Sequence, residues 1–474
     1  MNRFIRPLVV CGLCLAVAIG ASGADLFPRG VYWPQERVSW MAEQAGVEFW
    51  TYVDQVMAEL KAQHCNFIWV VNSDIPSLQK LCAAGTAHNI QVAGNPAAPF
   101  YNWRQHRTPK FAVRTAQWAV EQLGDTEGLY AYVCLDEPGL EELAYLDTIR
   151  RELKRLDPTR KSVLVTMRPQ TPAAIGRTDF PIITCDVYPF FFEGDPNGPN
   201  PAPRSRNYYR TVNDTLSAQC QKAGKTYWVM PGVFSEIWGD WYYDDNMHVV
   251  AQPGAYLHWR TPTVGESRWM TWQGLASGAQ GIIYFVLFPA GNERTAESEP
   301  GPAPTHPFPK ITQPLHTHQP NALLNIDSTP TEQMIAIGEE FAQVEKLEPI
   351  LQKLSLSRFP AVFTTAPFHV RTFVDEESDL YALVVNDNTD EPVTGEVTLL
   401  PGITQLDDLC ADAPLALTEA EKYSLQRATL KLNAGGGTLL RLITEPTHRP
   451  MSIMIEEVRR VVRENEIEPL TPSM

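Results

Sequence analysis

The chain has 474 residues, 44% of them hydrophobic, which is enough to bury a large core and excludes a chain disordered along its whole length. Its formal charge of -16 excludes the usual kind of nucleic-acid binder, which sets clustered Lys and Arg against the phosphate backbone.

At the N-terminus, Arg3 and Arg6 lead into the apolar run Leu8 to Ile19, and Ala21 to Ala24 offer small residues for cleavage. Residues 1–24 are therefore expected to be an export signal, with a secreted or periplasmic mature chain starting near Asp25. The run falls short of the roughly 20 apolar residues a spanning helix needs, and nothing later in the sequence resembles a membrane span.

From Phe27 onward, short β-branched or aromatic runs alternate with longer amphipathic stretches, the pattern of repeated βα units. Strands are expected at Gly30–Trp33, Asn66–Val71, Ile90–Gly94, Leu129–Leu135, Ser162–Met167, Ile182–Tyr188, Thr226–Val233 and Gly281–Phe288. Helices are expected at Ser39–Gln63, Ile75–His88, Pro109–Leu123, Leu140–Leu156, Tyr208–Ala223, Thr263–Ser277 and Thr331–Leu351, with only a short turn at Thr171–Gly176. Eight units predict an α/β fold, a (β/α)8 TIM barrel over residues 25–354, since an open doubly wound sheet more often stops at fewer strands. Long connections follow strands six, seven and eight, on the face where such barrels build function; the Pro- and His-rich stretch from Pro300 to Pro320 reads as either a lid or a disordered excursion.

After Leu354 the pattern changes to period-two alternation, as in Leu380–Asn386, Gly395–Leu400 and Gly437–Ile443, which predicts a C-terminal antiparallel β-sandwich over residues 355–445. Residues 446–474 read as a charged helical tail, with Met454, Ile455, Val458 and Val462 on one side; the oligomeric state is left open. Outside the signal, Cys65, Cys82, Cys134, Cys185, Cys220 and Cys410 are scattered, without a metal knuckle, and read as mostly structural. A Cys65–Cys82 bridge is the one pairing left open for an oxidising compartment.

The most informative segment is Leu129 to Pro138, an apolar strand that ends in Asp136 and Glu137. Acidic side chains at the C-terminal end of a buried parallel strand lie where a barrel gathers its catalytic groups. The competing bland reading is that they cap the helix that follows. Asp186, in Cys185-Asp-Val-Tyr-Pro189, is a second carboxylate closing a strand, and Tyr188 shares its parity. Asp186 could orient a substrate hydroxyl, steady a water, support Glu137, or simply form a turn.

A barrel with an acidic pair closing strand four, Asp-Val-Tyr-Pro closing strand six, an aromatic-rich strand eight within Trp272 to Phe285, and a C-terminal β-domain resembles the glycoside hydrolases of the large (β/α)8 clan. The resemblance implies a glutamate proton donor at the end of strand four, here Glu137, with Asp136 where the clan usually has Asn. Such a donor must hold its proton near neutrality, which burial and a neighbouring carboxylate favour. It also implies a nucleophilic glutamate at the end of strand seven; the nearest match is Glu236 in Val233-Phe-Ser-Glu-Ile-Trp238, which also reads as an exposed loop residue. Carboxyl groups about 5 Å apart retain configuration, and about 6.5 Å or more invert it.

Aromatic residues crowd the loops after these strands: Trp33, Tyr101, Trp103, Phe190 to Phe192, Trp238, Trp241, Tyr242 and Tyr243. Sugar rings present apolar C–H faces that stack on aromatic planes, so Trp33, Trp103, Trp238, Trp241 and Tyr188 are candidate platforms, although each alone also fits packing. Asp136, Asn72, Asn95, Arg29 and Arg168 are candidate partners for hydroxyls. No Gly-x-Ser-x-Gly elbow, phosphate loop or His-Glu-x-x-His motif occurs, and His306, His316 and His318 read as solvated rather than as metal ligands. The expectation is an exported glycoside hydrolase-like enzyme acting on a poly- or oligosaccharide without metal or cofactor, with a catalytically silent glycan-binding barrel as the alternative.

Overall fold

A computed structural model describes residues 26–96, 108–191, 202–238, 241–243, 249–251, 256–290, 317–357, 359–419 and 425–444. The expected export signal, the Pro300–Pro320 stretch up to residue 316, Tyr101, Trp103 and the helical tail lie outside these residues.

Seven parallel strands come first: β1 (Arg29–Pro34), β2 (Phe67–Ser73), β3 (Gln91–Pro96), β4 (Leu129–Val133), β5 (Lys161–Met167), β6 (Ile182–Asp186) and β7 (Thr226–Met230). Four short strands then leave the barrel, β8 (Ser235–Trp238), β9 (Trp241–Tyr243), β10 (Val249–Ala251) and β11 (Tyr256–Trp259), before β12 (Ile282–Tyr284) returns as the eighth stave. Strand β12 pairs with both β7 and β1, Ile282 lying opposite Val229 and Arg29, and so closes the ring.

The staves obey the two-residue period of a pleated strand. Tyr32, Phe67, Trp69, Ala93, Ala131, Val133, Val163, Val165, Ile182, Trp228, Met230 and Ile283 fill the inside of the barrel. Val31, Trp33, Ile68, Val70, Val92, Leu164, Ile183 and Val229 point outward to the helices. Both faces of each strand are covered, which is why the staves read as continuous apolar runs.

The helices are α1 (Gln35–Ala45), α2 (Phe49–Ala62), α3 (Ile75–His88), α4 (Pro109–Leu123), α5 (Leu143–Leu156), α6 (Thr171–Arg177), α7 (Ala202–Lys222), α8 (Val264–Ala276) and α9 (Glu332–Leu351). The single helix expected over Ser39–Gln63 is in fact two. Gly46 adopts φ 64° and closes α1 by donating to the carbonyls of Ala42 and Glu43, a left-handed cap that β-carbon crowding makes costly for other residues.

The C-terminal region packs two antiparallel sheets. A six-stranded sheet has Phe368–Val374, Leu380–Asn386, Gly437–Thr444 and Ile403–Asp408 at its centre; a four-stranded sheet is built around Val393–Leu399 and Gln426–Leu432. Ala382, Val384, Leu440 and Leu442 face Val397, Leu399, Ala428 and Leu430 across the sandwich. The alternate residues Tyr381, Leu383, Val385 and Leu439 join the barrel's outer core instead. Helix α8 approaches this sheet so closely that a β-carbon at Gly265 would lie 1.9 Å from the Thr389 carbonyl oxygen, which fixes glycine there. Asp387 receives hydrogen bonds from Arg210 of α7 at 2.6 Å and Trp269 of α8 at 3.0 Å, tying the two regions together.

Two sequence expectations are corrected by this packing. Cys65 and Cys82 are free thiols rather than a bridge; both are buried, and burial pushes each up to about 12. Trp33 is fully buried on the outer face of β1, its ring edge-on to Phe288 at 5.0 Å and its indole N–H bonded to Gln35, so it serves the core and cannot be a sugar platform. Among the described residues, no helix is long and apolar enough to cross a membrane.

Candidate active site

The C-terminal ends of β1, β4 and β6 bring together Tyr32, Asp136, Glu137, Asp186 and Tyr188. Their assembly depends on a break in alternation after β4. Ala131 and Val133 point inward, so a straight strand would aim Leu135 inward as well; instead Leu135 packs in the outer core. The chain bends at Asp136 and Glu137, and the Asp136 carboxylate turns toward the barrel axis, where it accepts a 2.7 Å hydrogen bond from the Tyr32 hydroxyl.

Glu137 adopts φ 45°, the left-handed region that non-glycine residues seldom occupy. Local strain of this kind persists only where surrounding structure holds it, and it concentrates at functional sites. Helix capping does not account for the pair. Helix α5 begins at Leu143, and it is Glu142 whose side chain accepts from the Gly139 backbone at 2.7 Å.

Asp186 closes β6 on the same face as Ile182, opposite Met167 in the register with β5. Its carboxyl group lies close enough to Glu137 for the two to act directly on one another. Burial first, then the adjacent Glu137 carboxyl, then Asp136, hold Asp186 well above the usual carboxylate range. Its Oδ1 is buried without a hydrogen-bond partner.

Asp136 is also raised, to about 7, first by burial and then by the Glu137 charge, against the opposing Tyr32 hydrogen bond. Glu137 itself is exposed, whereas the sequence reading expected burial to make it the proton holder. The bend that turns Asp136 inward leaves Glu137 facing solvent, and burial falls on the two aspartates.

An aromatic wall stands beside the acids. Tyr188 packs edge-on to Phe234 at 5.0 Å and to Trp259 at 5.8 Å, and its ring lies 5.5 Å from Phe285, which in turn meets Tyr32 at 4.9 Å. Burial, then Asp186, Glu137 and Asp136, raise the Tyr188 phenol, so it stays a neutral hydrogen-bond donor.

Glu236 lies on β8, the middle strand of a small sheet ordered β11–β8–β13, with β13 (Thr317–Asn321) on its far side. It is not the exposed loop residue of the alternative reading: it is buried, opposite Trp259 in the register, and accepts a 2.8 Å hydrogen bond from Gln319. Gln319 accepts in turn from Arg37, which also donates to the Phe288 carbonyl. Trp259 links this sheet to the Tyr188 wall.

The remaining candidates divide by strand end. Arg29 is the first residue of β1, on the face opposite the acids, and its guanidinium is held by Glu348 at 2.5 Å and Glu345 at 3.3 Å. It is a structural anchor of the N-terminal face, not a substrate ligand. Arg168 follows β5 at the acidic end, exposed, with its guanidinium 5.0 Å from the Tyr208 ring. Asn72, Asn95, Trp238 and Trp241 belong to β2, β3, β8 and β9, but their side chains fall outside the described set, as does all of Trp103. His306 and His316 also lie outside it, and of His318 only the backbone, on β13, is described.

Sequence reading missed Tyr32, Phe234, Trp259 and Phe285. For Tyr32 the missing information was which face of β1 points inward, which alternation alone leaves open.

No family model and no curated protein matches the sequence. Solved structures do match by fold. A glycoside hydrolase family 5 protein from Bacteroides vulgatus aligns over 89% of this chain and 90% of its own, at TM-score 0.51 and 10% identity. A second structure, described as a glycoside hydrolase, aligns over 89% and 94%, at TM-score 0.50 and 10% identity. The chain therefore has the fold of the (β/α)8-barrel glycoside hydrolases, a TIM barrel followed by an antiparallel β-sandwich.

Proposed function

We propose that the chain is a glycoside hydrolase-like enzyme that cleaves O-glycosidic bonds of a poly- or oligosaccharide at the acidic mouth of its barrel. The observation that carries this reading is the gathering of Asp136, Glu137 and Asp186 at the C-terminal ends of β4 and β6, beside an aromatic wall of Tyr188, Phe234, Trp259 and Phe285. Glycoside hydrolysis needs an acid that is protonated near neutrality and close to a platform for a sugar ring. The apolar run after Arg3 and Arg6 supports export of such an enzyme to an extracytoplasmic substrate.

In the reaction, the proton on Asp186 passes to Glu137, which is exposed and reaches the leaving group, and from Glu137 to the glycosidic oxygen. The C–O bond then breaks, its electron pair stays on the departing oxygen, and the oxocarbenium-like centre is captured on its other face. Glu137 and Asp186 act here as one acid pair on the leaving-group side, so they do not bracket the anomeric carbon from two faces. The capturing group must therefore come from elsewhere. Glu236 is the proposed nucleophile, oriented by Gln319 and Arg37; water then displaces it from the anomeric carbon, giving its proton to Glu137 and so restoring the acid pair, while Asp136 and Tyr32 would hold a sugar hydroxyl. Arg168, Asn72, Asn95, Trp103, Trp238 and Trp241 are proposed as further substrate-binding residues.

The test is turnover of a panel of aryl glycosides and polysaccharides by the wild-type chain and by Glu137→Gln and Asp186→Asn. Turnover lost in both variants, with saccharide affinity retained, supports the reading. A wild-type chain that binds saccharide but turns over nothing identifies a glycan-binding barrel instead.

A further inference from the structure

Strand β5 lies between the strands that carry Glu137 and Asp186, and its last side chain is apolar, exposed and turned into the mouth of the barrel. Alternation decides the direction. Val163 and Val165 face the inside, whereas the Thr166 hydroxyl meets that of Thr171 on α6 at 2.8 Å and so points outward. Met167, the next residue, returns to the inner face, level with Asp186 in the register with β6. Met167 and Glu137 each stand four residues beyond the paired Val133 and Val163, so the thioether belongs to the strand between the two acids. Its backbone is fixed, since the Met167 carbonyl accepts from the Gln170 amide and from the Thr171 hydroxyl, each at 3.0 Å. Met167 is 38% exposed, whereas Met230, level with Asp186 on the other side, is 1% exposed within the barrel core. Arg168, the following residue, is turned over the Tyr208 ring.

We propose that Met167 is the contact surface for the leaving group, and that the chain accordingly favours glycosides whose leaving group lays a flat apolar face, an aromatic ring or the C–H face of a sugar, on the thioether. The inference rests on the proposed hydrolase function and deepens it. A general acid must come within hydrogen-bond distance of the glycosidic oxygen, so whatever is attached to that oxygen lies against the side chains that flank the acid. Glu137 is the proposed donor, and Met167 is the exposed side chain that the neighbouring strand turns into the mouth. The aromatic wall of Tyr188, Phe234 and Phe285 rises from β6, β7 and β12, on the side of Asp186 away from β5, and is left for the ring that is cleaved off. A thioether is polarizable and attracts aromatic rings, and its rotatable bonds let it follow leaving groups of different shape.

The experiment compares phenyl and methyl glycosides of glucose, galactose and mannose, in both anomers, with the full chain and its Met167→Gln and Met167→Leu variants. For the sugar that is turned over, the KM of the phenyl glycoside should rise about three- to tenfold in Met167→Gln, with kcat and the KM of the methyl glycoside near wild type, and recover in Met167→Leu. Carbon-13 labelling of the methionine methyl groups gives a second reading. The resonance absent from Met167→Leu should move upfield when the wild-type chain is saturated with the matching phenyl thioglycoside. A KM that changes equally for the two leaving groups or not at all, or a Met167 resonance that stays in place, overturns the inference and leaves the hydrolase reading standing. A wild-type chain that turns over no glycoside of the panel defeats the hydrolase reading, and the inference falls with it.

Discussion

The two ends of the barrel handle buried charge in opposite ways. At the N-terminal end, Arg29 is almost fully buried but neutralised by Glu345 and Glu348, and Glu345 also accepts from His64 at 2.7 Å. Burial would raise the Glu345 carboxyl, but the His64 hydrogen bond and the Arg29 charge outweigh it and hold the group low. At the C-terminal end, Asp136, Glu137 and Asp186 meet with no ion-pair partner among the described residues, and burial together with the Glu137 charge raises both aspartates. The first arrangement anchors the fold. The second opposes it and retains protons near neutrality, the usual division between the stability face and the active face of such barrels.

Substitutions can break each half of this contrast separately. The largest effect is expected from Asp186→Asn and Glu137→Gln, each lowering kcat by about a thousandfold, since each removes one side of a shared acid. Because the pair acts as a unit, the double variant should cost little more than either single one. Steady-state kinetics on one responsive aryl glycoside measures both; full activity in either variant removes the dyad from the mechanism.

At the opposite end, Arg29→Met should destabilise the fold by about 3 kcal/mol, because it leaves Glu348 without its buried partner. Urea unfolding measures this loss, and kcat should stay at the wild-type value. A fall in kcat beyond the loss of folded protein would contradict the separation of the two faces.

Asp136 makes the acidic end sensitive to pH. Its folded value of about 7 lies above its ordinary 3.8, so between those values the folded state binds more protons than the unfolded one. Stability therefore falls as pH rises through that window, and the loss is complete above the folded value. Asp136→Asn should flatten this slope and stabilise the chain at pH 8 by about 1–2 kcal/mol after allowance for solvent screening. Thermal melts at pH 5 and pH 8 provide the comparison, and an unchanged slope would place the titrating group elsewhere.

The smallest expected effect belongs to Tyr32→Phe. Its hydroxyl favours the ionised form of Asp136, so its loss should raise the Asp136 pKa further and move the pH dependence of stability to higher pH. The stability change itself is expected to be about 1 kcal/mol, the size of one hydrogen bond.

The sequence by itself determined the eight staves, the helices between them, the sandwich strands and the placement of acids after β4 and β6. These features are periodic or lie at a strand end, and both properties are local. Tertiary structure decided the rest. Alternation along β1 is equally consistent with Tyr32 or Trp33 facing inward, and only ring closure through β12 chose Tyr32. The bend after Val133 turned Asp136 toward Tyr32 and left Glu137 exposed, and no period announces such a bend. Glu137 and Asp186 stand 49 positions apart, and they meet because the barrel seats β4 and β6 on either side of β5. A strand pattern fixes which residues share a face; which face points inward, and which ends meet, depends on the closed sheet.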